Sequence, residues 1–296
     1  MKHVKQSPYI LVVNGTKIRR PVFVLGAPHS GVDFVARALR RAPGFHLTGG
    51  HPSVLNAVYA FARQPSLAQG HESGAARLVR DAFAEAWQLT PLSCPRCPPG
   101  PVPAREAPEP CEHAGQVTRY GDAGPDLLYS SSALALAFED AAFVQVIRDG
   151  RDAVADMLDD EHSLTWFKPG VANLDGELPN AFFGVETEED RDEYPGLSTA
   201  SKCAMRWRSA VRLSAKLRGE LAPERLMTLR YEEVPGKEVE TAERLSEFVG
   251  ASVSALELMR PDPDGTGSWR VRLDSVQRTD VEGVARPELT RLGYLR

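Results

Sequence analysis

The sequence predicts an α/β protein with a parallel sheet flanked by helices on both faces, carrying a Cys/Pro-rich insertion. Three observations carry that expectation. Residues 22–25 and 143–147 are short, continuous apolar runs of the kind buried in parallel sheets. Each is followed at once by a helical pattern, and a third run at 225–231 again precedes a helix. A chain of 296 residues can bury one large core, so a single domain over 1–296 is expected.

The first run lies between Arg19-Arg20-Pro21 and Gly26. After it, Val32, Val35, Leu39 and Ala42 recur at helical spacing, with Arg37, Arg40 and Arg41 late in the helix, where cations suit its negative end; Pro43-Gly44 stops it. Helices are expected at 53–62 and 74–88, and residues 90–117 are too rich in proline for helix or central strand. Behind the second run, Val154, Met157 and Leu158 form the apolar face of a helix that starts near Gly150. Residues 159–198, with the acidic run ETEEDRDE, predict a long surface excursion. A helix at 199–219, the third strand, and a helix at 237–249 capped by Gly250 complete the order, with no internal repeat.

A net charge of −5 gives no broad attraction to nucleic acid or to an anionic membrane, so any anion site is built locally. No run approaches the ~20 apolar residues of a membrane span, and the N-terminus lacks the apolar core of a signal peptide. A cytoplasmic protein is expected, of unassigned oligomeric state.

The segment GAPHSGVD, Gly26 to Asp33, joins the first strand to its helix. A glycine-bearing turn at a helix start gathers free backbone N–H groups at the positive end of the helix dipole, which is an anion site. Its glycine spacing is that of the nucleotide-binding loop GxxxxGK[ST], with Val32 in the lysine position and Asp33 in the hydroxyl position. Without that lysine and hydroxyl, the cation for the outer phosphates and a magnesium ligand are both missing, which disfavours a small-molecule P-loop kinase.

The same segment resembles the 5′-phosphosulfate loop of sulfotransferases that use 3′-phosphoadenylyl sulfate (PAPS), whose bacterial and Golgi-type members read GxPRSGTTxL. FVQVIRDGRDAVADML resembles their 3′-phosphate motif, LRYEEV their RYEDL segment, and GSWRVRL with the terminal LGY their closing motifs. The resemblance covers roughly 19–62 and 143–296, in order. It implies a P-loop-like sulfotransferase fold and transfer of a sulfuryl group from PAPS to a hydroxyl of a small-molecule or carrier-bound acceptor. It also implies a donor site at Ala27, Pro28, His29, Ser30, Gly31, Val32, Asp33, Arg148, Asp156 and Arg270. Arg148 matches the arginine on the 3′-phosphate, and Arg270 is a candidate second clamp. His29 stands where the family has Arg or Lys, and His51 in LTGGHPSVL is the candidate catalytic base, with His46 second. Val32 and Asp33 replace two threonines, and Asp156 a serine. The rival reading is a homologue that has lost transfer and binds a nucleotide or a protein.

Cys94, Cys97, Cys111 and His113 read as C-x2-C-x13-C-x-H, a ligand set for tetrahedral zinc. This expectation rests on spacing, not on the family; a disulfide or redox pair and an unliganded insertion are the alternatives. Cys203 is expected in the core.

Overall fold

The structure, a computed structural model, describes residues 10–69, 72–91, 93–94, 97, 111–168, 171, 174–259 and 265–295. Most of the insertion's centre, 98–110, therefore lies outside the described residues, as does the segment 1–9.

A hairpin of β1 (Val12–Val13) and β2 (Thr16–Lys17) leads into β3 (Val22–Gly26), whose five residues are all buried. The chain then forms α1 (Val32–Arg40), β4 (Phe45–Thr48), α2 (Pro52–Arg63), α3 (Ser66–Gln69) and α4 (Glu72–Ala86). β5 (Arg119–Ala123), α5 (Ser131–Ala137), β6 (Ala142–Ile147), α6 (Gly150–Leu158) and α7 (Glu161–Thr165) follow. The last elements are α8 (Glu188–Glu193), α9 (Thr199–Glu220), β7 (Leu226–Arg230), α10 (Glu238–Val249), α11 (Trp269–Arg272) and α12 (Ser275–Arg291).

Five strands form one parallel sheet in the order β4-β5-β3-β6-β7, with Val22 opposite Ala142 and Gly26 opposite Val146. Alternate residues serve opposite faces. Phe23, Leu25 and Phe143 pack with Phe83, Trp87, Phe138 and Trp207 on one side, while Val22, Val24, Val144 and Val146 pack with Val35, Leu39 and Leu245 on the other. From β3 the chain leaves toward β4 and from β6 toward β7, so the connections part between these neighbours. The crevice at their carboxyl ends is where open α/β sheets bind ligands.

The three expected strands are present, but the sheet has two more. β4 has only four residues and lies at an edge, and β5 reads RYGDA, whose Gly and Asp disfavour a strand. Gly121 is nevertheless required there, because a Cβ would strike the Val22 carbonyl. The excursion at 159–198 also differs from expectation. Its acidic run is the exposed helix α8, closed by a capping box of Thr187 and Asp190, yet Phe182, Phe183, Val185 and Tyr194 bury with Met205 in a satellite core. Isolated apolar residues in a polar stretch show no period, so their burial is set by tertiary packing. The cap at Gly250 is as expected, in the left-handed conformation at φ 69°.

Candidate functional site

The loop from Gly26 to Val32 is built for close backbone approach. His29 and Gly31 both take positive φ, 56° and 97°. Gly31 is also the N-cap of α1, and a side chain there would run into the Tyr231 ring. The first N–H groups of α1 have no intrahelical acceptor. Ser30 is turned inward against Gly26, and its buried hydroxyl has no hydrogen-bond partner among the described residues. Val32 sends its side chain into the core, leaving its N–H as the group it can offer an anion.

Arg148 follows β6 and closes the crevice from the other side. Its Nη1 donates to the His29 carbonyl at 2.7 Å, its Nη2 to the Gly265 carbonyl at 2.8 Å, and its guanidinium lies 4.7 Å from the Tyr231 ring centroid. The side chain is only 4% exposed and is paired with Asp156 at 2.5 Å. Asp156 also takes a hydrogen bond from Arg272, whose other nitrogen reaches Asp159 at 2.7 Å. The two guanidinium groups hold the Asp156 carboxyl below its ordinary range, against the opposing effect of burial, which is the largest single influence on it.

The rest of RDGRDAVAD secures neighbouring segments. Asp152, fully buried, accepts from Gly267 N at 2.7 Å, Trp269 N at 2.9 Å and the Ser268 hydroxyl at 3.2 Å. Arg151 pairs with Asp149 and lies over the Trp269 ring at 4.0 Å. Glu232 accepts from Asp149 N at 2.7 Å and from the Tyr294 hydroxyl at 2.9 Å. Five stretches far apart in sequence thus meet at one end of the sheet.

Asp33 and Asp156 part company here. Asp33 is exposed in the first turn of α1, and its carboxylate makes no hydrogen bond or ion pair with the described residues. Asp156 is the carboxylate that occupies a cationic site. Arg270 is exposed, stacks on Trp269 at 4.7 Å and donates to Gly267 O at 3.4 Å. The closing-segment arginine that meets the Arg148–Asp156 pair is Arg272.

His29 Nε2 lies 3.2 Å from the Ser163 hydroxyl and 3.3 Å from Asp160, so the contact is an ion pair whenever the ring is protonated. The Ser163 hydroxyl donates to Asp160 at 2.7 Å and is the main reason that the Asp160 carboxyl sits below its ordinary range. His51 is the N-cap of α2, its Nδ1 accepting from Ser53 N at 3.4 Å. That cap places the ring proton on Nε2, so His51 can take a proton, at Nδ1, only by giving up the cap. His46 lies in β4, edge-on to Tyr120, and burial lowers its pKa to about 4. Near the carboxyl end of β5, Asp122 is 1% exposed; burial raises its pKa to about 6, although the Thr48 hydroxyl donates to it at 2.5 Å.

The insertion's ligand-type side chains also converge. The Cys94, Cys97 and Cys111 sulfurs and a His113 ring nitrogen lie within 4.8 Å of one another, a cluster able to hold a metal ion. None of the four cysteines is disulfide-bonded, and Cys203 is buried in the core on α9, where burial raises its pKa to about 12.

Sequence reasoning missed Arg272, Tyr231, Asp152 and the Asp160–Ser163 pair. Tyr231 stands in the quoted segment LRYEEV and Arg272 in GSWRVRL, so proximity to those motifs was the available signal. Asp160 and Ser163 lie in the aperiodic excursion, where no pattern marks them.

No protein-family model matches the chain, and no curated protein matches it. Solved structures do. The sulfotransferase domain of the curacin biosynthetic pathway is 11% identical, with TM-score 0.48, over 95% of this chain and 100% of that one. The sulfotransferase domain of the Synechococcus PCC 7002 olefin synthase is 12% identical, with TM-score 0.45, over 92% and 94%. Mouse sulfotransferase SULT7A1 complexed with PAP is 12% identical, with TM-score 0.43, over 92% and 84%. The chain is similar to these sulfotransferase structures along most of its length, and its parallel sheet with flanking helices is the α/β arrangement expected from the sequence.

Proposed function

We propose that the protein is a sulfotransferase that holds PAPS at the Gly26–Asp33 loop and passes its sulfuryl group to a hydroxyl of a small-molecule or carrier-bound acceptor. The observation that carries this reading is the meeting of the loop with Arg148, whose Nη1 lies 2.7 Å from the His29 carbonyl. Free N–H groups at the α1 start and the Ser30 hydroxyl, unpartnered among the described residues, suit the phosphosulfate end of the donor. In the transfer, the acceptor oxygen forms a bond to sulfur while the bond from sulfur to the phosphate oxygen breaks. His51, released from its cap, takes the acceptor proton, and His29 in its protonated form stabilises charge on the leaving oxygen.

A second reading is favoured by Asp156. Its carboxylate already satisfies Arg148 and Arg272, so the 3′-phosphate must displace it or be absent, as in a homologue that binds a nucleotide or a protein without transfer. Incubation with PAPS labelled in the sulfuryl group and a panel of phenols and alcohols separates the two. Label on an acceptor with wild type and none with Arg148→Ala supports transfer. Bisphosphate binding with no label on any acceptor favours the second reading.

A further inference from the structure

We propose that Cys94, Cys97, Cys111 and His113 hold one structural zinc ion that staples the insertion to the sheet at the pole opposite the phosphate loop. The distances fit one centre. Zinc bonds of about 2.3 Å to sulfur and about 2.0 Å to nitrogen, spread tetrahedrally, place sulfur and nitrogen roughly 3.6 Å apart. His113 Nδ1 lies 3.4 Å from Cys97 Sγ and 3.7 Å from Cys94 Sγ. Both separations are within sulfur hydrogen-bond distance, and both equal what two ligands of a common ion show. His113 Nε2 faces Glu112, 3.8 Å away, so the ring presents Nδ1 to the cluster. Three sulfurs and one imidazole make a soft, closed set, which selects zinc over the oxygen-loving cations and leaves no position for substrate.

The surroundings suit a structural ion. Among the described residues, the buried apolar partners of the cluster are Leu89 and Ala114, with Val117 partly buried, a small apolar core beside four ligand-type side chains. Cys111 N donates to Leu89 O at 2.7 Å, and beyond the cluster Thr118 N and Arg119 N donate to Gly44 O. The ligands therefore clamp the two ends of the insertion where the chain enters β5. The five residues of β5 span roughly 17 Å before reaching the phosphate-loop end of the sheet, so the ion supplies stability and not chemistry.

Metal analysis of protein made without a metal-affinity tag tests the site: one zinc per chain is expected, and well under one equivalent, or a disulfide among these cysteines, overturns it. Replacement of the metal by cobalt(II) should give the visible bands of tetrahedral thiolate ligation, altered in Cys97→Ser; octahedral-type weak absorption would contradict the geometry. Removal of the ion by a chelator should lower the thermal midpoint by several degrees and be reversed by added zinc. An unchanged midpoint after complete removal overturns the staple. These readouts involve no nucleotide, so their outcome is independent of the sulfotransferase reading.

Discussion

Asp156 is the anion that Arg148 and Arg272 share: the carboxylate bridges two guanidinium groups, one just after β6 and the other in α11. Arg148 is nearly inaccessible and Asp156 is about one-quarter exposed, so the pair is screened less than a surface ion pair. A phosphate arriving at Arg148 meets this carboxylate first. At about 4 Å and an effective dielectric near 20, one carboxylate opposes one phosphate charge by about 4 kcal/mol.

Asp156→Ser should therefore tighten adenosine 3′,5′-bisphosphate binding by up to about a thousandfold in calorimetry. The same change leaves Arg148 without its carboxylate and should lower the stability of the free protein by about 3 kcal/mol. Bound bisphosphate should restore the thermal midpoint of the variant more than that of wild type. Asp33→Thr, at an exposed and unpaired position, should change affinity much less. Equal effects at both positions would show that Asp156 is not the controlling carboxylate.

Gly31 has no tolerance for a side chain, because of its φ of 97° and the Tyr231 ring against it. Gly31→Ala should lose at least about 1 kcal/mol of stability from the backbone alone. Adding Tyr231→Ala should recover the part due to the ring, and thermal unfolding of the single and double variants measures both parts.

His51→Ala should leave bisphosphate affinity unchanged and reduce transfer by about a hundredfold or more, as removal of a general base does. Steady-state kinetics on an acceptor found with labelled PAPS checks this. Loss of binding instead would place His51 in packing at the α2 start.

Two buried groups make stability depend on pH in opposite senses. The raised pKa of Asp122 favours the folded state when its carboxyl is protonated, a contribution present below about pH 4 and lost as pH rises toward 6. The lowered pKa of His46 favours the folded state when the ring is neutral, a contribution present above about pH 6.5 and lost as pH falls toward 4. Each gap is worth about 3 kcal/mol, so they largely offset one another between pH 4 and 6. Asp122→Asn should unmask the His46 loss and steepen acid destabilisation in that window, as read by urea unfolding across pH.

The sequence made the central strands legible because β3 and β6 are apolar throughout, and the helices after them because their apolar residues recur at fixed spacing. β5 was not legible: Gly121 and Asp122 belong to a strand only because β3 and β4 flank them. Within the site, Ser30, Gly31 and Arg148 were found as motif residues. The engagement of Asp156 by Arg272 was not, since it joins residues 116 positions apart. The metal-type cluster was legible from spacing because its four ligands fall within 20 residues of one another.

On the proposed function, the Gly26–Asp33 loop and Arg148 together bind the donor nucleotide. Calorimetric titration of adenosine 3′,5′-bisphosphate into wild type and Asp156→Ser tests it most directly. Saturable binding by wild type, tightened strongly in the variant, is the expected result. No binding by either protein at millimolar nucleotide would contradict it.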